Sequence, residues 1–85
     1  MRHFATPGFW YHHRHLPAEI RTLADRCFRT LEADPRHPSL RFKKIGPYWS
    51  ARVGRDHRAL AVERADGLVW FWIGAHDRYE EKIKS

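Results

Sequence analysis

From Pro17 onward the apolar residues Ile20, Leu23, Ala24, Cys27, Phe28 and Leu31 fall at i, i+3, i+4, i+7, i+8 and i+11, a spacing that lines one side of a helix of about five turns. Asp34-Pro35 ends it, because proline disfavours helical backbone in the residue before it, and Pro38 prolongs the break. Upstream, Thr6-Pro7 reads as an N-cap followed by proline at the first helical position, where its missing N–H costs nothing. Phe9, Trp10 and His13 continue at helical spacing, so a short helix near residues 7–15 is predicted, interrupted at Leu16-Pro17. The two helices form an αα-hairpin.

Beyond Leu40 the period shortens to two. Leu40, Phe42 and Ile45 mark a first strand with Gly46-Pro47 as its turn, and Tyr48 to Val53 a second, closed by Gly54-Arg55-Asp56. His57 to Arg64 reads as a third strand, followed by the turn Ala65-Asp66-Gly67. Leu68 to Ile73 is a fourth, and its unbroken hydrophobicity implies burial on both faces at the centre of the sheet. Gly74 stops it, and Asp77 to Ile83 is polar enough for a short, mostly exposed terminal helix. The pattern therefore predicts an α+β fold: an N-terminal αα-hairpin packed on one face of a four-stranded, mainly antiparallel sheet, with a short C-terminal helix. The other sheet face is expected to stay open and to carry the functional residues.

Length and composition narrow the class. Eighty-five residues suffice for a single domain spanning 1–85 and no more, and 42% hydrophobic with 14% aromatic content exceeds what disordered chains carry. A single cysteine permits no internal disulfide and fits a reducing compartment, so a cytoplasmic location is expected. No apolar run approaches the ~20 residues of a membrane span and the N-terminus shows no export signal, so no membrane partner is expected.

Charge adds the first functional direction. The formal net charge is +6, and residues 41–58 hold six basic groups against one acidic. Interleaved with Phe42, Tyr48 and Trp49, that stretch has the composition required for neutralising phosphates and stacking bases, which makes RNA the expected partner; a solvated basic surface would read the same way. Arg41, Lys43, Lys44, Arg52, Arg55 and Arg58 supply the cations. Alternation puts Tyr48, Ser50 and Arg52 on one face and Trp49, Ala51 and Val53 on the other, so Arg52 should point away from the apolar layer. Arg58 groups by alternation with Leu60 and Val62, an awkward place for a cation unless it begins the strand or faces a ligand.

The hexapeptide Gly74-Ala75-His76-Asp77-Arg78-Tyr79 sets a histidine and a tyrosine three residues apart just beyond a buried strand, where a rigid scaffold positions side chains that still reach solvent. Histidine titrates near neutrality and suits acid–base work; a surface histidine beside a packed tyrosine is the structural alternative. His12, His13 and His15, with His3 nearby, lack the i, i+4 pairing of a helical metal site, so no metal and no other cofactor is expected. Cys27 lies within the apolar stripe and reads as a small core residue, and Trp70-Phe71-Trp72 reads as core before stacking platform.

Over nearly its whole length the chain resembles the RelE/ParE superfamily of bacterial toxins. The likeness is carried by Leu16-Pro17-Ala18-Glu19, by Asp34-Pro35-Arg36-His37-Pro38-Ser39-Leu40, by Phe42-Lys43-Lys44, by Tyr48-Trp49-Ser50-Ala51-Arg52-Val53-Gly54, by His57-Arg58-Ala59-Leu60 and by Trp72-Ile73-Gly74-Ala75-His76-Asp77-Arg78-Tyr79. The resemblance implies a ribosome-dependent endonuclease that cleaves mRNA and inhibits translation, neutralised by a cognate acidic antitoxin protein. It assigns Arg52 and Arg58 to phosphate charge, His76 to acid or base work and Tyr79 to stacking or proton transfer, while Arg41, Lys43, Lys44 and Arg55 would hold the RNA. Ser50 stands where some members carry a catalytic lysine, which leaves the general base open. A branch of the same fold inhibits DNA gyrase instead, and a non-catalytic nucleic-acid-binding module is a further alternative, because fold alone does not decide activity.

Overall fold

The computed structural model describes residues 2–84. Its elements run β1 (His3–Ala5), α1 (Pro7–Arg14), α2 (Ala18–Ala33), a 3-10 turn (Pro38–Leu40), β2 (Lys43–Ile45), β3 (Tyr48–Val53), β4 (His57–Arg64), β5 (Gly67–Ala75) and α3 (His76–Lys84). The sheet has five strands in the order β1-β5-β4-β3-β2, with β1 parallel to β5 and every other neighbour antiparallel. The α+β class, the two N-terminal helices and the terminal helix are as predicted. The Thr6 cap is also present, its Oγ1 accepting from the Phe9 N–H at 3.1 Å.

Three expectations change. The sheet has five strands rather than four, because β1 is only three residues long and period two cannot be read from so short a run. It is held by register, His3 to Leu68 and Ala5 to Trp70, before the chain turns at Thr6 into α1, which packs along β5. Gly67 admits this parallel edge: its φ is 149°, and a Cβ there would collide with the Arg2 carbonyl that accepts from the Leu68 N–H. The first predicted strand also begins later. Pro38 lacks an N–H for a ladder and holds φ near the helical value, so residues 38–40 close a 3-10 turn that drops Leu40 into the core at 1% exposure. Arg41 follows in the left-handed region at φ 43°, Phe42 is outside the strand, and pairing starts only at Lys43.

The face expected to be open is partly covered. The main core lies between α2 and the sheet and includes Leu31, Leu40, Ala51, Val53, Ala61, Leu68 and Trp70. On the opposite face, Leu60, Trp72 and Tyr79 form a second small core beneath α3. A β-bulge creates this division. Leu60 pairs with Trp72 but Ala61 with Trp70, so Phe71 is an extra residue, and the two tryptophans, which strict alternation would put on one side, face opposite layers. The continuous apolar run of β5 is thus needed on both faces. Among the described residues no helix is long and apolar enough to cross a membrane.

At the β1 edge the Trp70 indole N–H donates to His3 Nδ1 at 3.1 Å. Burial lowers the proton affinity of His3, with Glu32 partly opposing. Because the folded value lies below the ordinary 6.5, the unfolded chain takes up the proton first on acidification. Stability linked to His3 is therefore present above about pH 6.5 and lost as pH falls through the folded value. Thermal midpoints measured between about pH 7 and 5 should fall, and His3→Gln, whose amide oxygen still accepts from the indole, should flatten part of that fall. An unchanged slope in this variant would remove His3 as its source.

Candidate nucleic-acid interface

On the α3 side of the sheet, β3 and β4 bring two arginines face to face. Arg52 and Arg58 are direct cross-strand partners, and like charges in that position are destabilising unless something between them supplies negative charge. Arg52 Nε donates to the Gly54 carbonyl at 2.9 Å, and Arg58 Nη1 donates to the His57 and Arg55 carbonyls at 2.7 and 3.4 Å. Backbone oxygens orient both guanidiniums, and among the described residues neither forms an ion pair with a carboxylate. Burial lowers the proton affinity of Arg58 from the ordinary arginine range, and the neighbouring Arg52 adds to the effect. An arginine keeps its proton even so, and the pair presents two adjacent positive charges.

Around it a pocket of about 220 Å³ is lined by Arg41, Lys43, Ser50, Arg52, Arg58, His76 and Tyr79. Each wall has a local origin. Arg41 reaches it from a left-handed residue, a conformation that costs a non-glycine residue about 1–2 kcal/mol. Lys43 pairs in register with Ser50, which is 2% exposed. His76 opens α3, and its backbone N–H donates to the Asp56 carbonyl at 2.8 Å, tying the helix to the turn before Arg58. Tyr79 follows one turn later, 6% exposed, with its ring centroid 5.6 Å from that of His76. Glu80 Oε1 lies 3.5 Å from His76 Nδ1.

Six of the eight residues singled out in the sequence meet here, although they come from four separate segments. Lys44 and Arg55 do not. Lys44 pairs with Trp49 and so alternates to the other face, and Arg55 sits in the β3–β4 turn. Ser50 was legible as the residue sharing a face with Arg52 and as a position the family resemblance singled out, but its burial against the cations depends on the sheet register. Arg58 and Leu60 do share a face, as alternation required; Leu60 enters the second core, while Arg58, one step nearer the turn, reaches the pocket.

The aromatic neighbours of the basic stretch behave differently from the expectation. Phe42 and Trp49 stack on each other at 4.8 Å against the main core, and the Trp49 indole donates to Glu63 at 2.9 Å. They are on the wrong face to stack bases in the pocket. Tyr48 lies on the pocket face, but against Phe71. On the α2 side, Phe9, Trp10, Cys27, Phe28 and Leu31 help to line an apolar cleft of about 300 Å³, with Trp10 and Phe28 exposed. Burial raises the Cys27 thiol pKa, which disfavours the thiolate. His13 is 3.2 Å from Asp25, and no cluster of metal-ligating side chains occurs among the described residues.

No family model matches the sequence, and no curated protein does. Solved structures do match. A chain of the RelB–RelE antitoxin–toxin complex from Methanococcus jannaschii is 17% identical, with 93% of this chain and 96% of that chain covered and a TM-score of 0.71. The YoeB/ParE toxin from Agrobacterium tumefaciens is 18% identical, covering 89% and 99%, at a TM-score of 0.65. A copper-bound mutant toxin from Helicobacter pylori is 14% identical, covering 92% and 97%, at a TM-score of 0.64. At such identities the likeness is one of architecture: the chain has the fold of RelE/ParE-superfamily toxins.

Proposed function

We propose that this chain is the toxin of a toxin–antitoxin module and that its basic pocket cleaves mRNA on the ribosome. The supporting observation is the Arg52–Arg58 pair, oriented by backbone carbonyls, without a carboxylate ion pair among the described residues and open to the same pocket as His76 and Tyr79. RNA carries its own nucleophile. The ribose 2′-oxygen attacks the adjacent phosphorus as its proton passes to a base, the bond from phosphorus to the 5′-oxygen breaks, and an acid protonates that oxygen. The upstream fragment then ends in a 2′,3′-cyclic phosphate and the downstream one begins with a 5′-hydroxyl. Arg58 and Arg52 stabilise charge on the equatorial phosphate oxygens, where preorganised donors act most strongly. His76 serves as acid or base, Tyr79 orients the sugar or moves a proton, and Arg41 and Lys43 hold the backbone, with Lys44 and Arg55 outside the pocket as flanking contacts.

Mapping fragment ends on translated mRNA after brief induction tests the scheme. Cyclic phosphate and 5′-hydroxyl ends are expected, and 5′-phosphate ends would refute it. A purified chain that blocks DNA gyrase supercoiling while sparing translating mRNA would replace the ribonuclease reading with the gyrase one. An acidic antitoxin would compete with RNA for the same cations, and the exposed aromatics around the apolar cleft offer it a separate nonpolar contact. Salt-sensitive RNA binding alone therefore does not establish the activity.

A further inference from the structure

Helix α3 separates two basic concavities. His76 and Tyr79 face the RNA pocket, whereas Arg78 and Lys82, an i, i+4 pair, face a groove of about 580 Å³ on its other side. There the C-terminal end of α1 meets the end of β5, and His12, His15, Trp72 and Gly74 complete the wall, with Glu81 also lining it. Gly74 keeps the floor open, since a Cβ there would strike the Trp72 indole.

The two imidazoles are held in defined poses. His15 Nδ1 donates to the Tyr11 carbonyl at 2.7 Å, because a carbonyl oxygen can only accept, so Nε2 is the nitrogen left for a ligand. The His12 ring meets the Trp72 indole edge-on at 6.2 Å. Burial lowers the proton affinity of His12, and Lys82 and His15 add to the effect. Among the described residues, the charged groups lining the groove are His12 from α1, His15 from its C-cap, and Arg78, Glu81 and Lys82 from α3, with Arg78 Nη1 3.8 Å from Glu81 Oε2. β5 contributes only the uncharged Trp72, Ile73 and Gly74, and the Tyr11 ring packs on His15 with 4.5 Å between centroids. With neutral histidines the described lining residues carry a small positive excess, Arg78 and Lys82 against Glu81, and a protonated imidazole adds to it.

We propose that this groove is a second phosphate subsite, separate from the Arg52–Arg58 pocket, whose occupancy is coupled to proton uptake by His12. A phosphate fits better than a single carboxylate because donors converge from two helices onto one volume, and a phosphate group has oxygens enough to accept from both. The site does not depend on whether the other pocket cleaves RNA. Its phosphate comes either from a nucleic-acid backbone or from a free phosphate ion.

Imidazole Cε1–H resonances of His12 and His15 provide the test, followed at low salt in the full chain. A deoxytetranucleotide has no 2′-hydroxyl to react, and its phosphodiester charge is constant between about pH 6 and 7.5, so any pH dependence belongs to the protein. Saturable shifts that tighten about tenfold at the acidic end are expected, weakened in the Arg78→Gln, Lys82→Gln double variant and retained in Arg58→Gln. Saturable shifts with inorganic phosphate but not the deoxytetranucleotide, compared at a single pH because the free ion titrates in this range, assign the site to the free ion. No shift with either probe, shifts without acid tightening, or shifts abolished by Arg58→Gln would overturn the proposal. Fragment-end mapping is unaffected by all of these outcomes, so failure here is distinguishable from failure of the ribonuclease reading.

Discussion

Arg58→Ala is expected to reduce RNA cleavage by about 10²–10³-fold, the range seen when a preorganised donor to a developing negative charge is removed. The large effect follows from placement. Arg58 is a partly buried member of a registered cation pair, and its guanidinium is aimed by carbonyls that belong to its own strand and the preceding turn. A lysine cannot reproduce those two bonds from one planar group, so Arg58→Lys should recover only part of the rate. Stability should move the other way or scarcely change. Relieving a like-charge cross-strand pair is worth about 0.2–1 kcal/mol, set against two hydrogen bonds to carbonyls at the edge of the turn. Single-turnover cleavage beside thermal denaturation measures both. A variant that cleaves at the original rate removes Arg58 from the mechanism; one that unfolds shows that the pair is structural.

Leu60→Ala has the largest expected effect on the fold. Leu60 is fully buried and lies with Trp72 and Tyr79 in the small core that attaches α3 to the sheet. Truncating a buried leucine costs about 2–5 kcal/mol, a large part of the roughly 5–15 kcal/mol that holds a domain of this size together. At about 4–8 °C per kcal/mol the midpoint should fall steeply. The cavity opens directly beneath Tyr79, so the helix carrying two pocket residues should loosen before the rest. Leu68→Ala is the control, since Leu68 is equally buried but lies in the core on the α2 side. Amide exchange in α3 should accelerate in the first variant beyond what its global stability accounts for, and not in the second. Equal exchange in both would show that α3 is held by something other than this cluster.

Much of this molecule was readable from spacing alone. The apolar stripe from Ile20 to Leu31, the Thr6 cap, the strands from Tyr48 to Val53 and His57 to Arg64, and the terminal helix all rest on local periodicity and capping, which operate within a few residues. The facing of Arg52 followed from the same logic. What was misread depends on partners far away in the chain. β1 exists because residues 3–5 find β5, more than sixty positions later, and the second core exists because a bulge at Phe71 turns Trp72 away from Trp70.

The same boundary runs through the candidate site. Its chemical inventory is local: a basic stretch over residues 41–58 and a histidine–tyrosine pair beyond the last strand are properties of sequence. That Arg52 stands opposite Arg58, that Ser50 is buried beside them, and that Lys44 and Trp49 are turned to the other face were settled by cross-strand register, since a shift of one residue would exchange every side chain between the two faces. α3 then docks on that face through Leu60 and Trp72, because an apolar patch of that size is not left in water, and in doing so brings His76 and Tyr79 to the arginines. Sequence by itself determined which groups are present and which way each strand alternates; only the tertiary structure decided which of them meet, because register and docking are set by contacts between segments that no local pattern encodes.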